Sequence, residues 1–164
     1  MIDINDAKEV FFLRSDPKVN QYVDRPRAKN LEDAESHIQK ILTGIANKEM
    51  IHWGIYPEGS DRHIGSLGYW QFNEEKTSCD IGYELHPEYW GKGIMQEAFL
   101  ATLPVIFDVW NFEGIEAWVQ VDNQGSIRFL EKNNFSNTRR VPAKESGDSD
   151  DMFVYCLRKK DRNG

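Results

Sequence analysis

The chain has 164 residues, of which 40% are hydrophobic and 29% charged, and its 20 basic and 27 acidic residues give a net charge of −7. This length suits one domain over residues 1–164, and no apolar run approaches the about 20 residues that a membrane-spanning helix needs. The acidic balance opposes nucleic-acid binding, and the start lacks the basic-then-apolar pattern of a secretory signal, so we expect a cytoplasmic protein without nucleic-acid or membrane partners.

The first third of the chain predicts two helices. Asn5 to Leu13 carries apolar residues at partly helical spacing, with Asn5 or Asp6 as its cap and Pro17 soon after it. Leu31 to Lys48 repeats apolar residues along one helical face, and Asn30 is a suitable cap.

The middle of the chain predicts three strands in an antiparallel meander. They are His52 to Tyr56, Ile64 to Phe72 and Thr77 to His86. The run Pro57-Glu58-Gly59-Ser60 predicts the turn between the first two.

The second half predicts alternating helices and strands. One apolar stripe runs from Met95 to Trp110, with Pro104 expected to kink that helix. Ile115 to Val121 alternates as a strand does, a short helix begins beside Asn123, and a last strand covers about Asp151 to Leu157. These elements indicate an α+β architecture.

Cysteine and histidine usage argues against a metal centre. Cys79 and Cys156 each lie inside a predicted strand, so neither a disulfide framework nor a thiolate zinc site is expected. The four histidines lack paired ligand spacing, and we predict no metal site.

Two glycines stand between a predicted strand and a predicted helix. Pro87 should end the strand, and Gly91 and Gly93 can adopt positive φ. A helix beginning near Ile94 would direct its unpaired amides and positive dipole end at an anion. The segment therefore predicts a backbone anion cradle, although a turn that only reverses the chain has the same pattern.

Two common phosphate-binding motifs do not fit this segment. The dinucleotide fingerprint needs a third glycine where Gln96 stands, and no Gly-Lys-Ser or Gly-Lys-Thr occurs. A nucleotide-phosphate binder stays a weaker alternative because no base-recognition motif supports it.

Two ordered blocks of sequence carry a family resemblance. The first contains Ile81-Gly82-Tyr83, Pro87, Trp90-Gly91-Lys92-Gly93 and Glu97-Ala98, and the second contains Asp122-Asn123-Gln124-Gly125-Ser126-Ile127, Glu131-Lys132 and Phe135. Over roughly residues 6–158, the chain resembles the GCN5-related N-acetyltransferase (GNAT) family, particularly its RimJ/RimL-like branch of ribosomal-protein N-terminal acetyltransferases. The resemblance implies one α+β domain with a mixed, mostly antiparallel sheet flanked by helices.

The resemblance also implies acetyl-CoA as cosubstrate and a site for it. An amine would attack the thioester directly in a ternary complex, with a backbone amide near Tyr83 to Leu85 stabilising the oxyanion. The implied cofactor-binding residues are Glu84, Leu85, His86, Trp90, Gly91, Lys92, Gly93, Ile94, Met95, Asn123 and Ser126.

The chemistry needs a proton acceptor for the amine and a donor for the leaving thiolate. The resemblance places the Ser126 hydroxyl near the thioester sulfur, although a first-turn helix residue can equally satisfy backbone groups. Asn123 would bind pantetheine amides or cap its helix. Asp80 and Glu145 are the candidate bases, with a water chain as the third possibility.

Three features depart from the family pattern. Glu88 brings a carboxylate to the start of the loop motif, so backbone amides and Lys92 would have to hold the pyrophosphate. Asn134 replaces a glycine, which asparagine's tolerance of left-handed conformation allows. The strand that normally precedes the first helix is missing, so either the chain is truncated or another segment or chain covers that edge.

The acceptor cannot be read from the motifs. A protein N-terminus, a basic peptide attracted by the acidic surface, or a small amine all remain open, and the protein is expected to be a monomer or homodimer. The alternative function is a noncatalytic acyl-CoA-binding or partner-binding module of the same fold.

Overall fold

A computed structural model describes residues 1–73, 75 and 77–162. Its helices are α1 (Ala7–Ser15), α2 (Leu31–Ala46), α3 (Ile94–Pro104), α4 (Gln124–Lys132) and α5 (Ala143–Ser146). Its strands are β1 (Ile51–Ile55), β2 (Gly65–Trp70), β3 (Ser78–Leu85), β4 (Gly114–Gln120), β5 (Ser136–Val141) and β6 (Met152–Arg158).

The six described strands form one sheet in the order β1-β2-β3-β4-β6-β5. The β3–β4 pair is parallel, whereas β1–β2, β4–β6 and β5–β6 are antiparallel. The predicted α+β fold with a mixed, mostly antiparallel sheet is therefore confirmed. Within the described chain no strand precedes α1, as the sequence indicates.

The chain divides into two compact units. Unit 1 comprises Met1–Gln21, Arg25–Trp70 and Gly82–Phe99. Unit 2 comprises Tyr22–Asp24, Gln71–Ile81 and the chain from Leu100 onward.

The core of unit 1 includes the packed faces of α1 and α2. Its buried members are Ile2, Ala7, Val10, Ala34, Ile38 and Ile41. Asn30 caps α2 as predicted, since its side chain accepts a hydrogen bond from the Asp33 amide at 2.9 Å. Asp6 is the N-cap residue of α1, one of the two predicted, but its side chain makes no capping bond to that helix. Asp3 instead caps the 3₁₀ turn Ile4–Asp6 that leads into α1, and Asp6 closes that turn reciprocally.

Unit 2 is organised around β4. The buried face of β4 carries Ile115, Ala117 and Val119, as the alternation predicts, while Trp118 on the other face is exposed. Both cysteines lie in strands as predicted, Cys79 buried in β3 and Cys156 half-buried in β6. Burial raises the pKa of Cys79 to about 12 and raises that of Cys156 as well.

Two elements differ from the sequence prediction. The helix predicted through Trp110 is α-helical only as far as Pro104, after which Val105–Val109 forms a π-helical turn. Proline lacks an N–H, and this change of hydrogen-bond pattern follows directly after it. The strand β5 and the short helix α5 were not predicted, because β5 is almost wholly exposed and has no apolar alternation.

Candidate active site

The glycine loop joins β3 to α3 within unit 1. A 3₁₀ turn at Pro87–Tyr89 follows the strand, and α3 begins at Ile94 as predicted. Gly91 and Gly93 have φ of 72° and 79°, and a Cβ added to either would meet no described atom within 4 Å. Backbone conformation rather than crowding therefore requires glycine here, and the open space beside the main chain leaves room for an anion.

Side chains brace this loop against the strand that precedes it. The Trp90 indole Nε1 donates a 2.7 Å hydrogen bond to the Leu85 carbonyl. His86 bonds through its amide to the Ile64 carbonyl at 2.7 Å, and its Nδ1 accepts from the Glu88 amide at 3.3 Å. The cradle is thus anchored to the end of β3.

The loop carries one cation and one carboxylate. Lys92 Nζ lies 5.3 Å from the centre of the Tyr89 ring. The Glu88 side chain is 70% exposed and stands 4.0 Å from Arg62, which offsets part of its negative charge. Phe12 of α1, which the sequence pattern does not single out, stacks on the His86 ring with centroids 4.4 Å apart.

Polar side chains converge on one place in unit 1. We call Arg14, Arg25, His37, His52, Ser66 and Glu84 the inner polar cluster. Arg25 Nη2 donates to Glu84 at 2.6 Å, and Ser66 Oγ donates to the same carboxylate at 3.5 Å. Arg14 Nη1 stands 3.3 Å from His37 Nε2. The sequence assigns Glu84 to the cofactor, whereas its side chain belongs to this cluster.

Burial sets the charge of the inner polar cluster. Burial lowers the pKa of His37 and of His52 to about 4, so both imidazoles are neutral near pH 7. Burial alone would raise the pKa of Glu84, but the charge and hydrogen bond of Arg25, together with the charge of Arg14, outweigh it and hold that pKa below its usual value. The cluster therefore holds two guanidinium groups and one carboxylate.

Some buried ring nitrogens beside this cluster lack partners. His52 Nδ1 and both ring nitrogens of His63 make no hydrogen bond within the described chain. An unsatisfied buried donor or acceptor costs about 1 to 3 kcal/mol. Burial lowers the pKa of His63 too, so this ring is neutral as well.

Asp80 lies in unit 2 opposite Glu116. The two residues are register partners in the β3–β4 pair. Burial and then the Glu116 charge raise the pKa of Asp80 to about 6, against an opposing effect of Arg139. Arg139 itself stands 3.9 Å from Glu116 and lies over the Trp118 ring at 5.3 Å.

Asn123 and Ser126 lie together at the start of α4 in unit 2. Asn123 Oδ1 accepts from the Ser126 amide at 3.1 Å, so Asn123 is the helix cap. At the other end of α4, Asn134 adopts φ of 63°, as predicted. Glu145 is exposed on α5. Of the predicted site residues, unit 1 groups 84–86 with 90–95, while unit 2 pairs Asn123 with Ser126.

The described residues contain neither a metal-binding group of side chains nor a membrane-spanning helix. No three His, Cys, Asp or Glu side chains there group closely enough to hold a metal ion. No helix in that part of the chain is long and apolar enough to cross a membrane.

An anion cradle between a strand and a helix of such a sheet is typical of proteins that bind a phosphate-bearing cosubstrate. The family model of the acetyltransferase (GNAT) domain matches residues 1–136, and the chain belongs to that family. It is an N-acetyltransferase that uses acetyl-CoA. The cradle fits that cosubstrate, because open backbone space and Lys92 suit its pyrophosphate.

Curated relatives agree with this assignment. The uncharacterized N-acetyltransferase YoaA of Bacillus subtilis is 29% identical, over 93% of this chain and 87% of its own length. The probable N-acetyltransferase YjcK of the same species is 30% identical, over 82% of this chain and 77% of its own length.

Solved structures share the fold. The ribosomal-protein-S5-alanine acetyltransferase of Vibrio fischeri has a TM-score of 0.83 at 19% identity, covering 99% of this chain and 92% of that one. RimL, a ribosomal L7/L12 alpha-N-protein acetyltransferase solved with coenzyme A, has a TM-score of 0.84 at 20% identity, covering 96% and 90%.

Proposed function

We propose that this protein transfers acetyl from acetyl-CoA to a primary amine by direct attack in a ternary complex. The observation that carries the proposal is the pair of positive-φ glycines, Gly91 and Gly93, opening onto free space before α3. The amides of 91–95, together with Lys92, would hold the pyrophosphate.

The strand end supplies the groups next to the reacting carbonyl. The Leu85 carbonyl accepts a hydrogen bond from the Trp90 side chain, and this bond fixes the end of the strand. An amide in the range 83–85 is proposed as the oxyanion donor. Trp90 thus acts as a positioning residue for this strand end.

The start of α4 supplies the second group of proposed contacts. Asn123 Oδ1 accepts from the Ser126 amide, and the side-chain NH2 of Asn123 is proposed to donate to pantetheine carbonyls. The Ser126 hydroxyl is proposed to donate to the departing thiolate. A Ser126→Ala variant should then lower kcat more than it weakens CoA binding.

Asp80 is the proposed base. With its pKa raised to about 6, its carboxylate is mostly ionised at pH 7 and is a stronger proton acceptor than an ordinary aspartate. Glu145 is the second candidate, because its exposed carboxylate is free to move toward an acceptor.

The acceptor is proposed to be a protein N-terminus or a small amine. Two fold neighbours are named for acting on ribosomal proteins, and this supports a protein acceptor by analogy only. The protein is proposed to work in the cytoplasm as a monomer or homodimer.

Calorimetric titration with acetyl-CoA, CoA and ATP, followed by thiol release across a panel of amines and peptides, tests the proposal. Tight acetyl-CoA binding with amine-dependent release is expected. Binding without release from any acceptor would favour the noncatalytic module, and preference for ATP would overturn the proposed cosubstrate site.

A further inference from the structure

The inner polar cluster draws its members from six different places in unit 1. Arg14 comes from α1, Arg25 from the α1–α2 connection, His37 from α2, His52 from β1, Ser66 from β2 and Glu84 from β3. Convergence of polar and titratable groups from separate elements is typical of a binding site.

Part of the cluster has a structural explanation. Arg25 donates through Nε to Asn20 Oδ1 at 2.8 Å and through Nη2 to Glu84 at 2.6 Å. Asn20 in turn donates to the Leu13 and Asp16 carbonyls, both at 2.8 Å. This chain of bonds ties the α1–α2 connection to β3, and Arg25 is the close ion-pair partner of Glu84.

That arrangement leaves the inner polar cluster with one positive charge in excess, because two guanidinium groups share the single carboxylate of Glu84, which pairs closely with Arg25 and acts on Arg14 only through its charge. The one hydrogen bond of Arg14 within the described chain reaches His37, an imidazole that is neutral near pH 7. A guanidinium has five N–H donors and stays charged, so most of its donors remain available to a ligand. A half-buried positive charge that is only partly compensated is costly, and a ligand that supplies an anion lowers that cost.

The helix and the strand that Arg14 joins both lead to the glycine loop. Phe12, two residues earlier on α1, stacks on His86 at the start of the loop with centroids 4.4 Å apart. Glu84, whose charge acts on Arg14, is two residues before His86 on β3. The Arg14 guanidinium therefore acts on β3 one residue before Leu85, the end of the strand that is proposed to face the reacting carbonyl.

We propose that Arg14 binds a carboxylate of the acceptor, so that the preferred substrates are amines that also carry a carboxylate, such as amino acids or peptides with an acidic residue near the N-terminus. This inference rests on the proposed function and names its substrate class. The net charge of −7 favours a basic acceptor instead. Solvent and salt screen that distant surface charge, whereas the half-buried Arg14 acts at short range.

Matched acceptor pairs test the inference. Thiol release is measured for β-alanine against β-alaninamide, and for peptides beginning Ala-Asp against Ala-Asn. Wild-type protein should favour the acidic member by at least about tenfold in kcat/KM, and mainly through KM. Arg14→Gln should abolish this preference, while Arg14→Lys should keep part of it.

Arg27→Gln is the matched control. Arg27 is exposed and donates only to the Asp16 and Asn20 carbonyls in the described chain, at 3.4 and 3.2 Å, so its loss should keep the preference. Unchanged acetyl-CoA affinity by calorimetry establishes that each variant is folded. Equal use of acids and amides by the wild type, or a preference that survives in Arg14→Gln, overturns the inference.

A binding measurement separates this inference from the proposed function. Glutarate is titrated while the Arg14 side-chain signal is followed by NMR. Binding that is lost in Arg14→Gln supports the carboxylate site even if no amine is acetylated, a result that would refute only the transferase proposal. Absence of glutarate binding overturns the carboxylate site.

Discussion

Replacing Gly93 with alanine should weaken acetyl-CoA binding through backbone strain alone. Gly93 has φ of 79°, and its added Cβ would meet no described atom within 4 Å, so no steric clash contributes. Left-handed conformation costs a residue with a Cβ about 1 to 2 kcal/mol. If the loop relaxes away from this conformation in the free protein, the dissociation constant rises about 5- to 30-fold. Calorimetry with acetyl-CoA measures this change.

Two variants control this experiment. Gly93→Asn should lose less affinity, because asparagine tolerates positive φ better than alanine does. Gly59→Ala places the same strain, at φ of 73° and in equally open space, in the turn between β1 and β2. It should lower the free energy of unfolding by about 1 to 2 kcal/mol and leave acetyl-CoA affinity unchanged. Wild-type affinity in Gly93→Ala, or an equal loss in Gly59→Ala, would refute the reasoning.

Three further outcomes are expected. If Asp80 is the base, kcat/KM at saturating acetyl-CoA should fall as pH drops through about 6, where its carboxylate becomes protonated, and Asp80→Asn should remove that limb of the profile; a limb that persists in the variant excludes Asp80. Tyr56→Phe deletes a 2.7 Å hydrogen bond to Asp6 and should lower the free energy of urea unfolding by about 1 to 2 kcal/mol, without changing acetyl-CoA affinity. Glu84→Gln leaves Arg25 unpaired and should cost about 3 kcal/mol at pH 7. Because the folded-state pKa of Glu84 is lowered, its stabilisation is complete above the unfolded value of about 4.3 and disappears as pH falls through the folded value. The free energies of unfolding of the wild type and of Glu84→Gln should therefore become equal at acid pH. A difference between them that does not change with pH would contradict this.

The glycine loop could be predicted because its determinants are local. Pro87 ends a strand, two glycines permit positive φ, and the following residues favour a helix, all within ten residues of chain. The left-handed Asn134 follows from similar local chemistry. These features depend on the backbone preferences of a few neighbouring residues, so they can be predicted without knowledge of tertiary contacts.

The edge strand β5 could not be predicted for the opposite reason. Its sequence, Ser-Asn-Thr-Arg-Arg-Val, has no apolar alternation, and its strand form depends on hydrogen bonds to β6. A register irregularity between Asn137 and Arg139 breaks the period further. Pairing with a neighbour distant in sequence outweighs local preference here.

The inner polar cluster could not be predicted from the sequence either. Arg14, Arg25 and His37 look like solvated charges on helix surfaces and in a connection. Only the folded chain brings them around Glu84, which the family resemblance assigns to the cofactor. Interactions over long sequence separation leave no periodic signal.

The two free cysteines bear on how turnover can be recorded. Thiolates, not thiols, react with disulfide reagents, and CoA released by the reaction is a small, fully solvated thiol. Cys79 is buried with a pKa of about 12, and the pKa of Cys156 is also raised. The native enzyme should therefore react very slowly with such reagents, so the colour change measures released CoA. A signal that increases in the absence of acceptor would instead indicate unfolding that exposes Cys79 in β3.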